Sequence, residues 1–313
     1  MKVISLLIKR GGKQMLELRF DEVRFFSDGR NLVRCDGKWG CIDMMGREIV
    51  PFLYDQIREA GEGLLYVLQE NFWGLWSGDG GGIFPCVFAA VRSFSEGCAA
   101  VLQDGKWGYI DGRGTYSIAP RFIKAESFAA GLAPVKTGEG WGYIDRTGAV
   151  CIPCRYEAAQ RFSAGAAWVK LGGYWGVIDM AGTMLTDLCY AHEPLESFSR
   201  GAVAVLKNEQ YVFVNSRGRE VSRLYDNCMC FFEGMAGVCR EGKWGFIDLT
   251  GKEQVKPCYD DVQVFAGGRA RVRLNGQWRL IDTEGNELTT GGYDEIDDFS
   301  EDLAAVGLNG QHE

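Results

Sequence analysis

A chain of 313 residues with a formal net charge of −8 lacks the clustered cations that grip a phosphate backbone or an anionic membrane surface, so nucleic acid and membrane lipid are not expected as partners. Hydrophobic residues make up 46% and charged residues 24%, the balance of an ordinary folded protein. The 43 glycines against 7 prolines mark a chain rich in turns and without proline linkers.

The N-terminus reads Lys2, an apolar run from Val3 to Ile8 broken by Ser5, then Lys9 and Arg10. That run is too short for a signal-peptide core or a bilayer span and is taken as the first strand, with no membrane insertion. The 11 cysteines are odd in number and do not recur once per period, which fits free thiols in a reducing compartment. A cytoplasmic location is expected, with secretion or the cell surface as the alternative if a leader is missing.

From Trp39-Gly40 onward the chain repeats. Trp73-Gly74, Trp107-Gly108, Trp141-Gly142 and Trp175-Gly176 follow at a spacing of 34 residues, then Tyr211-Val212, Trp244-Gly245 and Trp278-Arg279 at 36, 33 and 34. A period in this range signals a repeat array. Counted from the Trp slot, position +3 is apolar (Ile42, Trp76, Ile110, Ile144, Ile178, Val214, Ile247, Ile281). Position +4 is acidic or a small polar substitute (Asp43, Ser77, Asp111, Asp145, Asp179, Asn215, Asp248, Asp282). Position +7 is always Gly, and +15 is an aromatic such as Tyr54 or Phe122. Upstream, a Phe recurs at −13 (Phe26, Phe94, Phe128, Phe162, Phe198, Phe231, Phe265, Phe299), a Gly at −10, and Val at −6.

These slots translate into strands. Ala99–Leu102 is β-prone, Asp104-Gly105 is a tight hairpin turn, and Lys106–Asp111 is a second strand. The Asp-x-x-Gly that follows is a side-chain-capped turn. A third short strand comes next, and a fourth leads into the Phe-Ser-x-Gly turn of the next copy. Within Lys106–Asp111, Trp107 and Tyr109 point one way and Ile110 the other, so both faces of each sheet are covered, as in stacked repeats. The Gly after each Trp is expected to make room for a ring of the neighbouring repeat.

The pattern carried by Lys38-Trp39-Gly40, Lys106-Trp107-Gly108-Tyr109-Ile110-Asp111 and Lys243-Trp244-Gly245-Phe246-Ile247-Asp248 resembles the WG-repeat (KWG-repeat) family, over about residues 20–312. The resemblance implies a bacterial, β-rich interaction module of variable copy number with no catalytic residues. The departures fall in repeat two (Leu75-Trp76-Ser77, Gly80-Gly81-Gly82) and repeat six (Tyr211-Val212-Phe213), where departures from regular packing are expected. The expected fold is all-β: about eight 34-residue repeats and a terminal partial repeat, one domain over 1–313. Its architecture is a propeller-like ring or, alternatively, an open β-solenoid or toroidal superhelix.

Specific chemistry is sparse. The Trp residues at the repeat slot are core, whereas Trp76 and Trp168 lie outside it and are candidate binding platforms. One carboxylate per repeat cannot supply the six to eight oxygens of calcium, so the Asp slot caps turns. Cys151 and Cys154 have C-x-x-C spacing, and Cys228 and Cys230 share a strand face. A zinc site would need both pairs together, and the thiols are read instead as small hydrophobes. The segment from Gly78 to Gly82 lacks the Lys-Ser/Thr of a phosphate loop, and His192 and His312 have no nucleophile motif. Arg269, Arg271 and Arg273 alternate along one strand before an acidic segment (Asp282, Glu284, Glu287, Asp294, Glu295, Asp297, Asp298, Glu301, Asp302) and form a candidate surface for an anionic partner. No metal or cofactor is expected. The leading expectation is a non-enzymatic protein–protein interaction scaffold, with a carbohydrate- or cell-envelope-binding module as the alternative.

Overall fold

A computed structural model describes residues 4–10, 14–25, 29–78, 80–297, 305–308 and 311–312. Phe26, Phe299, Asp79, Asp298, Glu301, Asp302 and the Asn309-Gly310 turn lie outside the described residues. The chain divides into two compact units, Met1–Cys154 and Arg155–Glu313. Both are built of short antiparallel strands, and the one helical element among the described residues is the 3₁₀ turn Phe198–Arg200. No helix is long and apolar enough to cross a membrane.

The third repeat shows the plan. Ala90–Val91, Cys98–Gln103, Lys106–Asp111 and Tyr116–Phe122 form one antiparallel meander in that order. Except after Tyr190, where none forms among the described residues, the short strand that follows the aromatic pairs with the following repeat, so the sheets are offset from the Trp-to-Trp period. Both hairpin turns are tight. Asp104 and Gly105 take φ of 49° and 74°, and Glu96 and Gly97 take 55° and 79°, the doubly left-handed form that matches strand twist. The Asp slot caps its turn as expected: Asp111 Oδ1 accepts the N–H groups of Arg113 (2.9 Å) and Thr115 (2.8 Å), and Asp248 does the same for Thr250 and Lys252.

Both faces of each sheet are buried. Val101 and Ile110 pack backward with Tyr66, Phe88 and Phe94, while Ala100 and Tyr109 pack forward with Ala125, Phe128 and Val135. In the second unit Ala204 and Phe213 meet Phe231 and Val238, and Phe246 meets Val262 and Phe265. The fold is therefore all-β and propeller-like, with one small sheet per repeat and adjacent sheets stacked face to face within each unit.

The Gly after the Trp has a different cause from the one expected. A Cβ on Gly108 would lie 2.6 Å from Ile118 O and from Pro120 N, both in the next strand of the same sheet. Trp107 pairs with Phe122 and Tyr109 with Ile118, so one residue faces three across a bulge, and the bulged backbone presses onto the glycine. Gly142 and Gly245 meet their own third strands in the same way. The glycine accommodates backbone of its own repeat, not a neighbour's ring.

Repeat two, despite its divergent turn, keeps four strands, and the backbone bonds from Ser77 N to Gly81 O and from Gly80 N to Ser77 O reproduce the usual turn. Repeats five, six and eight are the ones that lose the long last strand, leaving the sheets Ala158–Asp179, Ala202–Asn215 and Asp261–Asp282. Repeats with that strand carry Pro51, Pro85, Pro120, Pro153 or Pro257 in it; the other three have no Pro there. Proline's fixed φ suits an outer strand whose missing N–H is not needed by the ladder. In its absence a hydroxyl takes over. Val177 N–H donates to Thr186 Oγ1 (2.9 Å), Phe213 N–H to Ser222 Oγ (3.0 Å) and Leu280 N–H to Thr289 Oγ1 (3.4 Å).

Candidate functional site

Trp168 is not a surface platform. It is 1% exposed, stacked on Phe198 with ring centroids 5.4 Å apart and planes 12° from parallel, and edge-on to Tyr190 at 5.7 Å. Its sheet position alternates inward because both faces are covered by neighbouring repeats, so standing outside the Trp-Gly slot does not place a side chain in solvent.

Trp76 is half-buried against the core of repeat one, where Leu32 and Cys41 supply no ring. Its indole N–H donates to Tyr54 Oη at 2.9 Å, and the two rings meet edge-on at 6.2 Å. Beside it opens a cleft of about 340 Å³ lined by Tyr54, Gln69, Trp76 and residues 82–86.

Arg269, Arg271 and Arg273 do share one face of a strand, opposite Asp282, Leu280 and Trp278. Only Arg273 is exposed; its guanidinium bonds Gly276 O at 3.3 Å and lies 5.9 Å from the Trp278 ring. Arg271 Nη1 donates to Ile296 O at 2.5 Å, tying its strand to the following short strand. The middle cation of the stripe is thus engaged within the fold.

A second cleft, about 480 Å³, opens where repeat five lacks its last strand, between residues 184–190 and Lys207, Gly218 and Glu220. Its charged groups belong to a recurrent tie. Tyr190 Oη and Lys207 Nζ both donate to Glu220 Oε1 (3.0 and 2.7 Å), as Tyr225 Oη and Arg240 Nη1 donate to Glu253 Oε1 (3.0 Å each). Burial first, and then the carboxylate, hold both phenols well above their ordinary value. The edge of strand Tyr174–Asp179 facing this cleft already has its bonds, through Tyr190, Thr186, Leu185 and Thr183.

All 11 cysteines are free thiols. Burial pushes Cys41 up to about 11 and Cys228 up to about 12, the behaviour of inert apolar thiols. Among the described residues no group of three or more His, Cys, Asp and Glu could hold a metal ion. His192 is exposed, and the side chain of His312 lies outside the described residues.

Sequence reasoning overlooked a chain of ties along the hairpin-turn rim. Lys38 Nζ donates to Asp55 Oδ1 at 2.6 Å, while Asp55 Oδ2 accepts the Glu70 N–H of the next repeat's turn at 3.1 Å. Lys243, Asp260 and the Asn275 N–H repeat the arrangement at 2.5 and 2.7 Å, and Gln210, Asp226 and the Glu241 N–H at 2.9 and 2.7 Å. The Lys before Trp-Gly and the Asp after the +15 aromatic thus form one unit. A parallel ladder runs through the other turns, where Glu96 accepts from Gly131 N–H and pairs with Arg146, and Glu233 accepts from Gly267 and Gly268. Both signals were present as recurring Lys, Asp and Glu, but only the fold shows which turn each one meets.

No curated protein matches the chain. Among solved structures it is similar to a eukaryotic initiation factor, at 10% identity over 94% of this chain and 97% of that one, with a TM-score of 0.49. It is also similar to BamB from Moraxella catarrhalis (12% identity, 92% and 93% covered, TM-score 0.35) and to Hsv2p of Kluyveromyces lactis (10%, 94% and 98%, TM-score 0.34). The model of the WG-containing repeat matches residues 7–39, 39–76, 73–107, 107–140, 141–175, 213–244, 244–278 and 278–311. The stretch it skips holds the irregular connection after repeat five. With its matched segments covering most of the sequence, the chain belongs to the WG-repeat family.

Proposed function

We propose that this protein is a non-enzymatic scaffold that binds other proteins through its turns and rims, working in a reducing compartment such as the cytoplasm. The observation that carries the reading is the distribution of side chains. The rings at the junctions between sheets are buried, and the acids of the Asp slot and of the rim, from Asp111 and Asp248 to Asp55, Asp260 and Glu233, cap turns or tie repeats. Large apolar side chains stand exposed at turn tips and edges, with Met44 at 71%, Met45 at 56% and Leu53 at 55% exposure in repeat one alone. Apolar groups left in water on otherwise satisfied loops suit protein contacts. The cleft beside Trp76 favours the second reading, a carbohydrate-binding module, although the indole N–H is already engaged by Tyr54.

The test is affinity capture from lysate of the source organism with the full chain as bait, read by mass spectrometry. The expected result is a protein partner retained near stoichiometry. A bait that retains no protein overturns the scaffold reading. Retention of glycan on an array, lost in Trp76→Ala, would replace it with the carbohydrate reading.

A further inference from the structure

The rim ties supply an internal template for a docking site. In repeat one Lys38 meets the carboxylate of Asp55 at 2.6 Å, and in repeat seven Lys243 meets that of Asp260 at 2.5 Å. Repeat three keeps the lysine as Lys106 but carries Ile123 where the carboxylate belongs. The backbone there is unchanged: Ile123 N–H donates to Lys136 O at 2.8 Å, as Asp55 N–H does to Leu68 O at 2.8 Å. Lys106 is exposed, and no hydrogen bond or ion pair joins its ammonium to any described residue. In repeat two both partners are replaced, Lys by Phe72 and Asp by Ala89. Phe72 is 45% and Ile123 44% exposed, and Ala89 N–H donates to Leu102 O beside the turn that carries Lys106. One stretch of rim in the first unit therefore presents an aromatic ring, two apolar neighbours and a cation without its carboxylate.

We propose that this rim docks a segment of a partner protein in which a carboxylate side chain neighbours an apolar one. The carboxylate meets Lys106 as Asp55 meets Lys38, and the apolar side chain covers Phe72, Ala89 and Ile123. An exposed aromatic ring with apolar neighbours suits the buried centre of an interface, and a charge contact at its edge fixes the partner's register. The inference rests on the scaffold reading and adds the chemistry of the partner to it.

A displayed random-peptide library is selected on the full chain, and the best synthetic peptide is titrated by fluorescence polarisation. Sequences joining Asp or Glu to an apolar residue are expected. Their affinity should fall at least about tenfold in Phe72→Ala, Lys106→Ala and Ile123→Asp, and stay unchanged in Lys38→Ala. Ile123→Asp is the decisive variant, because it restores the internal ion pair. It should hold the wild-type melting temperature or exceed it while binding is lost. Peptides without a carboxylate, or peptides that Ile123→Asp still binds, overturn the rim site. The two readings separate in the capture experiment: a partner retained equally by wild type and Ile123→Asp removes the rim site and leaves the scaffold, whereas no partner on the wild-type chain removes the scaffold.

Discussion

Trp168 stands directly across its sheet from Val177, and in repeat three the same two positions hold Ala100 and Tyr109. The ring has changed strands and the small residue has changed with it. The other pairs follow suit, with Tyr66 across from Leu75, Ala204 from Phe213 and Gly237 from Phe246. In each case the ring meets the Phe of the next repeat: Tyr66 meets Phe94 at 6.2 Å, Tyr109 meets Phe128 at 4.9 Å, Phe213 meets Phe231 at 5.2 Å and Phe246 meets Phe265 at 4.8 Å. Each cross-strand pair contributes one large ring to a space of fixed size beside that Phe, because interiors are packed to crystal-like density. Trp168→Ala should therefore cost about 3–5 kcal/mol in urea unfolding. Adding Val177→Tyr, which recreates the Ala100/Tyr109 arrangement, should recover more than half of that loss. A double variant no more stable than Trp168→Ala would show that the pair is not interchangeable.

The close approach at Gly108 separates two kinds of glycine. Gly108→Ala drives a Cβ against backbone at 2.6 Å, and neither Ile118 O nor Pro120 N can move without breaking the bulge. A loss of about 2–4 kcal/mol is expected. Gly138, in the hairpin turn of repeat four, has nothing within 4 Å of the same position and no left-handed φ, so Gly138→Ala should stay within about 0.5 kcal/mol of wild type. Equal effects in a thermal-shift comparison would contradict the steric account.

The fold was legible in the sequence because its slots map onto local physics. Asp104-Gly105 and Asp111 to Gly114 name their own turns, and apolar residues of both parities in Lys106–Asp111 require two covered faces. The binding candidates were less legible. The position of Trp168 holds Leu32, Tyr66, Ala100, Pro134, Ala204, Gly237 and Arg271 in the other repeats, a set that makes no sense until it is read with its cross-strand partner. Asp55 and Lys38 are each unremarkable in the chain, since their meeting depends on which turn the next sheet brings alongside. The missing strands of repeats five, six and eight were marked by absent Pro and by Thr186, Ser222 and Thr289, a signal too common to interpret one copy at a time.

The rim carboxylates predict how stability depends on pH. The Lys38 hydrogen bond and then the Glu70 N–H hold Asp55 below the usual carboxylate range; Lys243 and the Asn275 N–H do so for Asp260, and Gln210 and the Glu241 N–H for Asp226. A carboxyl whose pKa is lower folded than unfolded stabilises fully above its unfolded value, about 3.9, and that contribution is lost as pH falls through the folded value. Urea midpoints should be level from pH 7 to about 5 and fall below about pH 4. Asp55→Asn combined with Asp260→Asn should make that acid limb shallower. An unchanged limb would place the acid sensitivity elsewhere.

Thr186 tests whether a hydroxyl can stand in for a strand. Its Oγ1 accepts the Val177 N–H at 2.9 Å at the place where Ile118 and Val50 offer a neighbouring strand in regular repeats. Val177 is wholly buried, so without that oxygen its N–H is left unpaired inside the sheet. Thr186→Val keeps the shape and removes the acceptor, and should cost about 1–3 kcal/mol. Hydrogen exchange gives the sharper readout. The Val177 amide should lose protection in Thr186→Val, whereas the Phe213 amide, capped by Ser222, should keep it. Protection of Val177 that survives the substitution would mean that another acceptor closes this edge, and the hydroxyl substitution in repeats six and eight would then lose its significance as well.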